Sequence, residues 1–427
     1  MLQKINRRYI NKLSDKELVD LIEKYLDYYD ENSPIRSLVA EENVFADIMK
    51  ASRRKRKSKG VIQVIGKNPE KYRESEDNKM IKTIRLDQLI ILTKSFQPPH
   101  HEIHYIQDAS GKGRNIISPN FSVEKIIHQG LVRLLRPKFK KGMYKWCCGS
   151  IPGRGVHYAM LGVKKAMEND KKNTKYCLSL DIRHFYESIP HDKLKDRIRT
   201  LTKDKDVRRL LYRIIDSSEQ GVSVGLVLSD WFGNYFLEPL DHYIKERILD
   251  DCDCNTARTK RHGPSYYFRY TDNILMFSPN KGELHKILDR LRVVLKEDYG
   301  LRIKYDWQIF RTDYIDKNGK RCGRPVDFVG FKFYHDKVVL RKKIYKRIKK
   351  LMKRLKNKGI DNISTRDAIK MLSYFGLMYW SDAQGIYRIF LRPYIKISEL
   401  RSIVKKDRKR KLKMAKMENH RGRTYRI

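Results

Sequence analysis

The sequence contains no apolar run of the roughly 18 residues that a membrane-spanning helix needs, so no membrane partner is predicted. Residues 1–8 carry several charges, and no apolar core of a secretion signal follows them. The chain has only 6 cysteines in 427 residues, which does not suggest a disulfide framework. Together these absences predict a protein of the reducing cytoplasm.

The cysteines also lack the spacing of a zinc site. Cys252 and Cys254 are separated by one residue, and His262 lies nearby, but no second matching pair follows. We interpret residues 251–258 as a polar loop rather than as a metal site.

Acidic residues are scarce relative to basic ones. The 94 lysines and arginines exceed the 51 aspartates and glutamates, which gives a formal net charge of +43. A solvated surface explains part of any such excess, but ordinary domains seldom carry so much charge of one sign, and a polyanionic partner such as nucleic acid is favoured. Hydrophobic residues make up 40% of the chain, enough for packed cores in two or three subdomains.

Two aspartates lie beside predicted strands, one at the end of a strand and the other in the turn of a hairpin. Residues 176–180 are typical of a buried strand, and Asp181 follows at its C-terminal end. Residues 266–270 and 274–277 are strand-like, and they flank a hairpin tip that contains Asp272. Each aspartate alone is also typical of a turn. Two of them at one sheet edge can hold paired Mg²⁺ ions for in-line phosphoryl transfer, which predicts a polymerase.

The chain divides into five predicted segments. They are a basic helical extension (1–95), a segment with a β-hairpin (96–175), an α+β segment with an antiparallel sheet (176–340), a helical segment (341–404) and a basic tail (405–427).

The predicted hairpin of the second segment has a basic tip. Residues 103–106 and 115–117 are strand-like and are joined by a turn at 110–113. Lys112 and Arg114 lie at this tip.

The helical segment begins with an amphipathic pattern. Its apolar positions recur at helical spacing with lysines and arginines between them: Ile344, Ile348, Leu351, Met352 and Leu355. One face is expected to pack on the protein, and the other meets solvent or phosphates. Residues 366–380 and 395–404 are expected to add two more helices, and the basic tail after them could be disordered in isolation.

These segments resemble the bacterial reverse transcriptases of the retron, diversity-generating and phage-defence group, which are related to group II intron proteins. Four blocks carry the resemblance in the family's order over roughly residues 96 to 400: 180–189 (LDIRHFYESI), 221–229 (GVSVGLVLS), 270–273 (YTDN) and 326–331 (VDFVGF). The last block resembles the family's primer-grip strand. The resemblance implies a right-hand polymerase, with fingers over 96–175, a palm over 176–340 and a helical thumb over 341–404.

The resemblance also assigns roles to individual residues. Asp181 and Asp272, with the main-chain carbonyl of Ile182, would hold Mg²⁺ or Mn²⁺. The ring of Tyr186 would lie under the sugar of the incoming nucleotide and clash with a 2′-hydroxyl, which favours dNTPs; its alternative interpretation is a core aromatic. Gly225 would let the backbone approach the nascent base pair.

Other assigned roles concern phosphates. Lys112 and Arg114 match fingers residues that bind the triphosphate, although basic hairpin tips are also common on surfaces. Residues 150–157 match an element that touches the template backbone.

Three positions depart from the family pattern. Asn273 replaces a second aspartate beside Asp272. Its amide oxygen can still coordinate a cation, so it is predicted to be catalytic together with Asp181 and Asp272, but the lost negative charge predicts weaker metal affinity. Val224 replaces the glutamine of retroviral and intron relatives. Trp307 and Gln308 stand where many polymerases have a lysine that serves as general acid, so no general acid is identified.

The leading interpretation is therefore an RNA-directed DNA polymerase in a bacterial or phage retroelement or an anti-phage system. Its partners would be an RNA template, typically a structured non-coding RNA, together with dNTPs, the DNA product and a partner protein or second copy. Asn273 supports the alternative of a catalytically impaired RNA-binding scaffold or partner subunit. A nuclease or an RNA-dependent RNA polymerase is a third hypothesis, against which Tyr186 and the lack of a nuclease-type acidic cluster argue.

Overall fold

The structure is a computed structural model that describes residue 98 and residues 103–107, 113–117, 123–252 and 261–424. The basic extension predicted over 1–95 lies outside the described residues, as does Cys254.

The described chain mixes helices and short strands. The strands are β1 (Ile103–Gln107), β2 (Gly113–Ile117), β3 (Tyr176–Asp181), β4 (Tyr266–Tyr270), β5 (Asn273–Ser278), β6 (Gln308–Arg311), β7 (Tyr314–Ile315), β8 (Arg321–Cys322), β9 (Val326–Phe328), β10 (Phe331–Phe333) and β11 (Val338–Leu340). The α-helices are α1 (Val123–Lys141), α2 (Val156–Asn169), α3 (Phe185–Ser188), α4 (His191–Leu201), α5 (Lys205–Asp216), α6 (Val227–Phe236), α7 (Glu238–Glu246), α8 (Lys281–Glu297), α9 (Lys342–Lys358), α10 (Thr365–Tyr379), α11 (Gln384–Phe390) and α12 (Ile397–Thr424). Short 3₁₀ turns cover Asp250–Cys252 and Ile360–Asn362.

A four-stranded antiparallel sheet in the order β4-β5-β3-β6 forms the centre of the molecule. The predicted strand before Asp181 and the predicted hairpin around Asp272 are both confirmed, as is the α+β class. In the β3–β5 register, Asp181 lies opposite Asn273. The register therefore brings the first and third sequence blocks to the same end of the sheet.

Both faces of this sheet are covered by hydrophobic clusters. Leu180 and Met276 contribute to one cluster, which also contains residues of α4, α6 and α8. Cys177 and Phe277 contribute to the other, which contains residues of α2, α9 and the β9–β11 strands. Because successive side chains on a strand point to opposite faces, each central strand supplies both clusters.

The block at 326–331 differs from its prediction as one strand. It forms two short antiparallel strands, β9 and β10, which belong to a three-stranded sheet with β11. The chain reverses at Val329 and Gly330, whose φ angles are 43° and 94°. This left-handed backbone breaks the apolar run, and glycine is the residue that adopts it most readily.

The C-terminal part is helical, as predicted. The apolar side of α9 is buried at Ile344, Ile348, Leu351, Met352 and Leu355. The final helix, α12, continues across residue 405, where the sequence suggests the start of a separate basic tail. No helix in the described part of the chain is both long and apolar enough to cross a membrane.

Candidate active site

The hairpin between β4 and β5 has a two-residue loop, Thr271-Asp272, closed by the pair Tyr270 and Asn273. Thr271 has a φ of 55°, which is rare for a β-branched residue. The Arg269 guanidinium donates a hydrogen bond of 3.1 Å to the Thr271 carbonyl oxygen. Gly149 packs behind the loop, where a Cβ atom would lie 2.5 Å from Thr271 Cγ2 and 2.8 Å from its backbone nitrogen. The turn is thus held from two sides.

Main-chain hydrogen bonds attach the end of β3 to this hairpin and to Lys304. The Ile182 N–H donates to the Asp272 carbonyl oxygen over 3.0 Å, and the Lys304 N–H donates to the Asp181 carbonyl oxygen over 2.9 Å. Because Asp181 and Asn273 are directly opposed, their side chains share one face of the sheet. The structure therefore brings together the segments of all three residues predicted to be catalytic.

A lysine that the sequence analysis did not select lies beside Asp181. The distance between Lys304 Nζ and Asp181 Oδ2 is 3.7 Å, and that between Lys304 Nζ and Asp306 Oδ2 is 3.4 Å. The bridge between Ile182 and Ile303 places Lys304 there. That pairing is long-range, so the sequence gives no local signal for it.

Tyr186 lies in the short helix α3, and contacts fix it at its backbone and its hydroxyl. The Val222 N–H donates to the Tyr186 carbonyl oxygen over 2.8 Å, next to Gly221 with its φ of 60°. The Tyr186 hydroxyl donates to Asp230 Oδ1 over 2.9 Å. Burial raises the Tyr186 pKa well above its ordinary value, and the negative charges of Asp230 and Asp272 raise it further. The hydroxyl therefore remains protonated and able to donate.

Gly225 lies in the exposed turn before α6 and has a φ of 111°. A side chain is strained in that conformation, so the position requires glycine for its backbone.

A buried polar network supports the hairpin from below, and the sequence analysis did not find it. Arg269 and Asp241 are fully buried and form two hydrogen bonds of 2.6 Å. The Tyr267 hydroxyl donates to the same carboxylate over 2.5 Å, and Arg269 also donates to Asn234 Oδ1 over 3.2 Å. Burial lowers the pKa of the Arg269 guanidinium, but the charge and hydrogen bond of Asp241, together with Cys147 and Tyr267, raise that pKa well above its ordinary value, so the guanidinium stays charged.

The structure describes only some of the residues predicted to contact phosphates. Lys112 lies outside the described residues, and Arg114 lies in β2 opposite Ile106. In the 150–157 element, the Arg154 guanidinium donates to the Tyr144 carbonyl oxygen over 2.6 Å, so it braces the protein's own backbone.

The donor atoms at the sheet edge fit a hard divalent cation. No group of three or more His, Cys, Asp or Glu side chains in the described part of the chain is arranged to hold a metal ion. The edge offers the Asp181 and Asp272 carboxylates, and the buried Asn273 Oδ1 has no hydrogen-bond partner among the described residues. Mg²⁺ is commonly bound by one or two carboxylates and completed by water and substrate phosphates, so this donor set suits Mg²⁺ or Mn²⁺.

Comparisons with known proteins find relatives over the segment that contains these residues. A family model described as reverse transcriptase (RNA-dependent DNA polymerase) matches residues 106–333, which include the β3 end and the hairpin. Protein YkfC of Escherichia coli K12 is 22% identical over 245 residues, covering 51% of this chain and 64% of YkfC. The retron Ec73 reverse transcriptase of Escherichia coli is 24% identical over 236 residues, covering 51% of this chain and 69% of that protein.

Among solved structures, apo telomerase from Candida tropicalis matches this chain with a TM-score of 0.44 and 11% identity, covering 74% of this chain and 62% of the telomerase.

Proposed function

Because this chain belongs to the reverse transcriptase family, we propose that it is an RNA-directed DNA polymerase that adds dNTPs to a primer by two-metal phosphoryl transfer. The observation that carries the proposal is the pairing of the Asp181 strand with the Asp272 hairpin inside the matched residues. The chain spans 64% of YkfC, so the substrates and partners of the whole protein are part of the proposal.

In this proposal Asp181 and Asp272 hold the divalent ions, with the carbonyl of Ile182 as a further ligand. The chemistry supplied there is activation of the primer 3′-hydroxyl and neutralisation of charge on the leaving pyrophosphate. The protein holds the two carboxylates in position. The β3–β5 register fixes Asp181, and the Arg269 hydrogen bond fixes the loop that carries Asp272.

Asn273 makes this edge less negative than one with three carboxylates. Its amide oxygen can still coordinate a cation, while Lys304 places a positive charge beside Asp181. We infer weaker divalent-ion binding than a third carboxylate would give, and a stronger dependence of activity on metal concentration.

Tyr186 is proposed to select deoxyribonucleotides. Tyr186 follows Asp181 by five residues, and the hydrogen bond to Asp230 fixes its hydroxyl. A ring fixed there would exclude a 2′-hydroxyl and leave dNTPs unaffected. Gly225, with its left-handed backbone, is proposed to face the nascent base pair.

We propose fingers over 96–175, a palm over 176–340 and a thumb over 341–404. Lys112 and Arg114 of the fingers are proposed to bind the triphosphate. The exposed lysines and arginines of α9 would contact duplex phosphates. The native template is proposed to be a structured RNA of a bacterial or phage retroelement or defence system.

A scaffold function is the second candidate, because Asn273 lacks the charge of a third carboxylate. In that case the protein would bind RNA without synthesising DNA.

The test is extension of a labelled primer on an RNA template with dNTPs or rNTPs and with Mg²⁺ or Mn²⁺. Wild-type protein is compared with Asp181→Ala, Asp272→Ala and a matched control, Asp289→Ala, which removes an exposed carboxylate paired with Arg292. The proposal expects dNTP extension that only the first two substitutions abolish. Tight RNA binding without extension in either metal would favour the scaffold.

A further inference from the structure

The Tyr186 ring packs against helix α6 at Gly233, which has no side chain. A Cβ atom at Gly233 of α6 would lie 3.0 Å from Tyr186 Cε1 and 3.0 Å from Phe185 Cε1. Glycine at this position therefore lets both rings approach the helix backbone closely. The centroids of the two rings are 5.1 Å apart.

Asp230 holds the far end of the same ring. It lies in the first turn of α6, where the helix dipole stabilises a carboxylate, and accepts the 2.9 Å hydrogen bond from the Tyr186 hydroxyl. The residues that follow, Trp231 and Phe232, are buried, so the acceptor sits on a firmly packed element. A hydrogen bond to an ionised acceptor is stronger than one between neutral groups.

We propose that Asp230 is a positioning residue that sets sugar discrimination by fixing the Tyr186 ring. Packing on Gly233 restricts the ring face, and the hydroxyl bond holds the opposite end of the ring against tilting when a 2′-hydroxyl presses on it. Without that bond, the ring yields and ribonucleotides enter more readily. The inference rests on the proposed function, because it explains the selection of dNTPs that Tyr186 is proposed to make.

The test measures kcat/KM for one dNTP and its matching rNTP on the same primed RNA. Tyr186→Phe keeps the ring and removes the donor, whereas Asp230→Ala removes the acceptor. We expect each to lower the dNTP-to-rNTP ratio about ten-fold, the size expected for a charged hydrogen bond, mainly by improving rNTP use. Asp230→Asn retains an oxygen acceptor but loses the charge, so its dNTP-to-rNTP ratio should lie between those of wild type and Asp230→Ala.

Two further variants make the result specific. The double variant Tyr186→Phe/Asp230→Ala should discriminate between dNTP and rNTP no worse than the poorer single variant, because the two substitutions remove the same hydrogen bond. Tyr186→Ala should relax discrimination more than any of them. Should Asp230→Ala fail to fold, Tyr186→Phe removes the same bond from the other side.

The outcomes distinguish failure of the Asp230 role from failure of the proposed function. If wild-type protein extends with dNTPs and Tyr186→Ala admits rNTPs, but Tyr186→Phe and Asp230→Ala keep the wild-type ratio, the role of Asp230 is refuted and the proposed function stands. If Asp230→Ala lowers kcat for dNTPs and rNTPs equally, the residue acts structurally and the inference is also refuted. Failure of the wild type to incorporate any dNTP refutes the proposed function and the inference with it.

Discussion

Replacing Arg269 by methionine should destabilise the protein strongly and inactivate it. The substitution leaves the Asp241 carboxylate buried with no compensating charge, and breaking a buried ion pair of this kind costs about 3–5 kcal/mol. It also removes the hydrogen bond to the Thr271 carbonyl oxygen. Urea unfolding followed by circular dichroism should show the loss as a lower midpoint.

The matched control is Arg199→Met. Arg199 and Asp196 also form an ion pair, but both side chains are 63% exposed. Exposed pairs contribute about 0.2–1 kcal/mol, so this variant should unfold almost as the wild type does. If Arg269→Met cost no more than Arg199→Met, the reasoning about the buried network would be refuted.

A double variant separates stability from function at the same position. Arg269→Met/Asp241→Leu replaces the pair by apolar side chains and should be at least about 1 kcal/mol more stable than Arg269→Met, because no charge stays buried alone. Primer extension should nevertheless remain low, because the Thr271 carbonyl oxygen still lacks its donor. Recovery of activity together with stability would show that the hydrogen bond does not position the loop.

Three further outcomes are expected. Gly149→Ala should lower primer extension at least about ten-fold, because its Cβ would lie 2.8 Å from a backbone nitrogen of the hairpin. The control Gly385→Ala, whose Cβ would meet nothing within 4 Å on the exposed surface of α11, should keep wild-type extension, and equal activities of the two variants would contradict the close packing behind the turn. Asn273→Asp should tighten Mn²⁺ binding about ten-fold in an electron paramagnetic resonance titration, because it adds a carboxylate to the site, and unchanged binding would exclude a role for this side chain in the site. Lys304→Ala should tighten Mn²⁺ binding up to about five-fold at low salt, because it removes a partly exposed cation 3.7 Å from Asp181, and the gain should shrink as salt is added.

The strands that carry the candidate site were predictable from the sequence because their signal is local. The apolar run at 176–180 and the two runs around Asp272 show in windows of a few residues, and all three are strands of one sheet. The run at 326–331 misled the prediction because its apolar composition continues through the turn, whereas the reversal depends on backbone angles at Val329 and Gly330.

The residues that support the site were not predictable, since they act through long-range contacts. Tyr186 and Asp230 are 44 positions apart, and an aspartate in the first turn of a helix is usually interpreted as a cap. Arg269 and Asp241 are charged residues of types that are almost never fully buried unless paired, and the sequence does not show the pairing. Identifying them requires knowing which helix lies beneath the hairpin.

The hydrophobic clusters on both faces of the central sheet restrict how this protein could be evolved in the laboratory. Shifting β3 by one residue against β5 would exchange the side chains supplied to the two clusters and separate Asp181 from Asn273. Single substitutions are therefore not expected to shift the β3–β5 register. Substitutions selected for stability are therefore expected to keep this register, with Asp181 opposite Asn273.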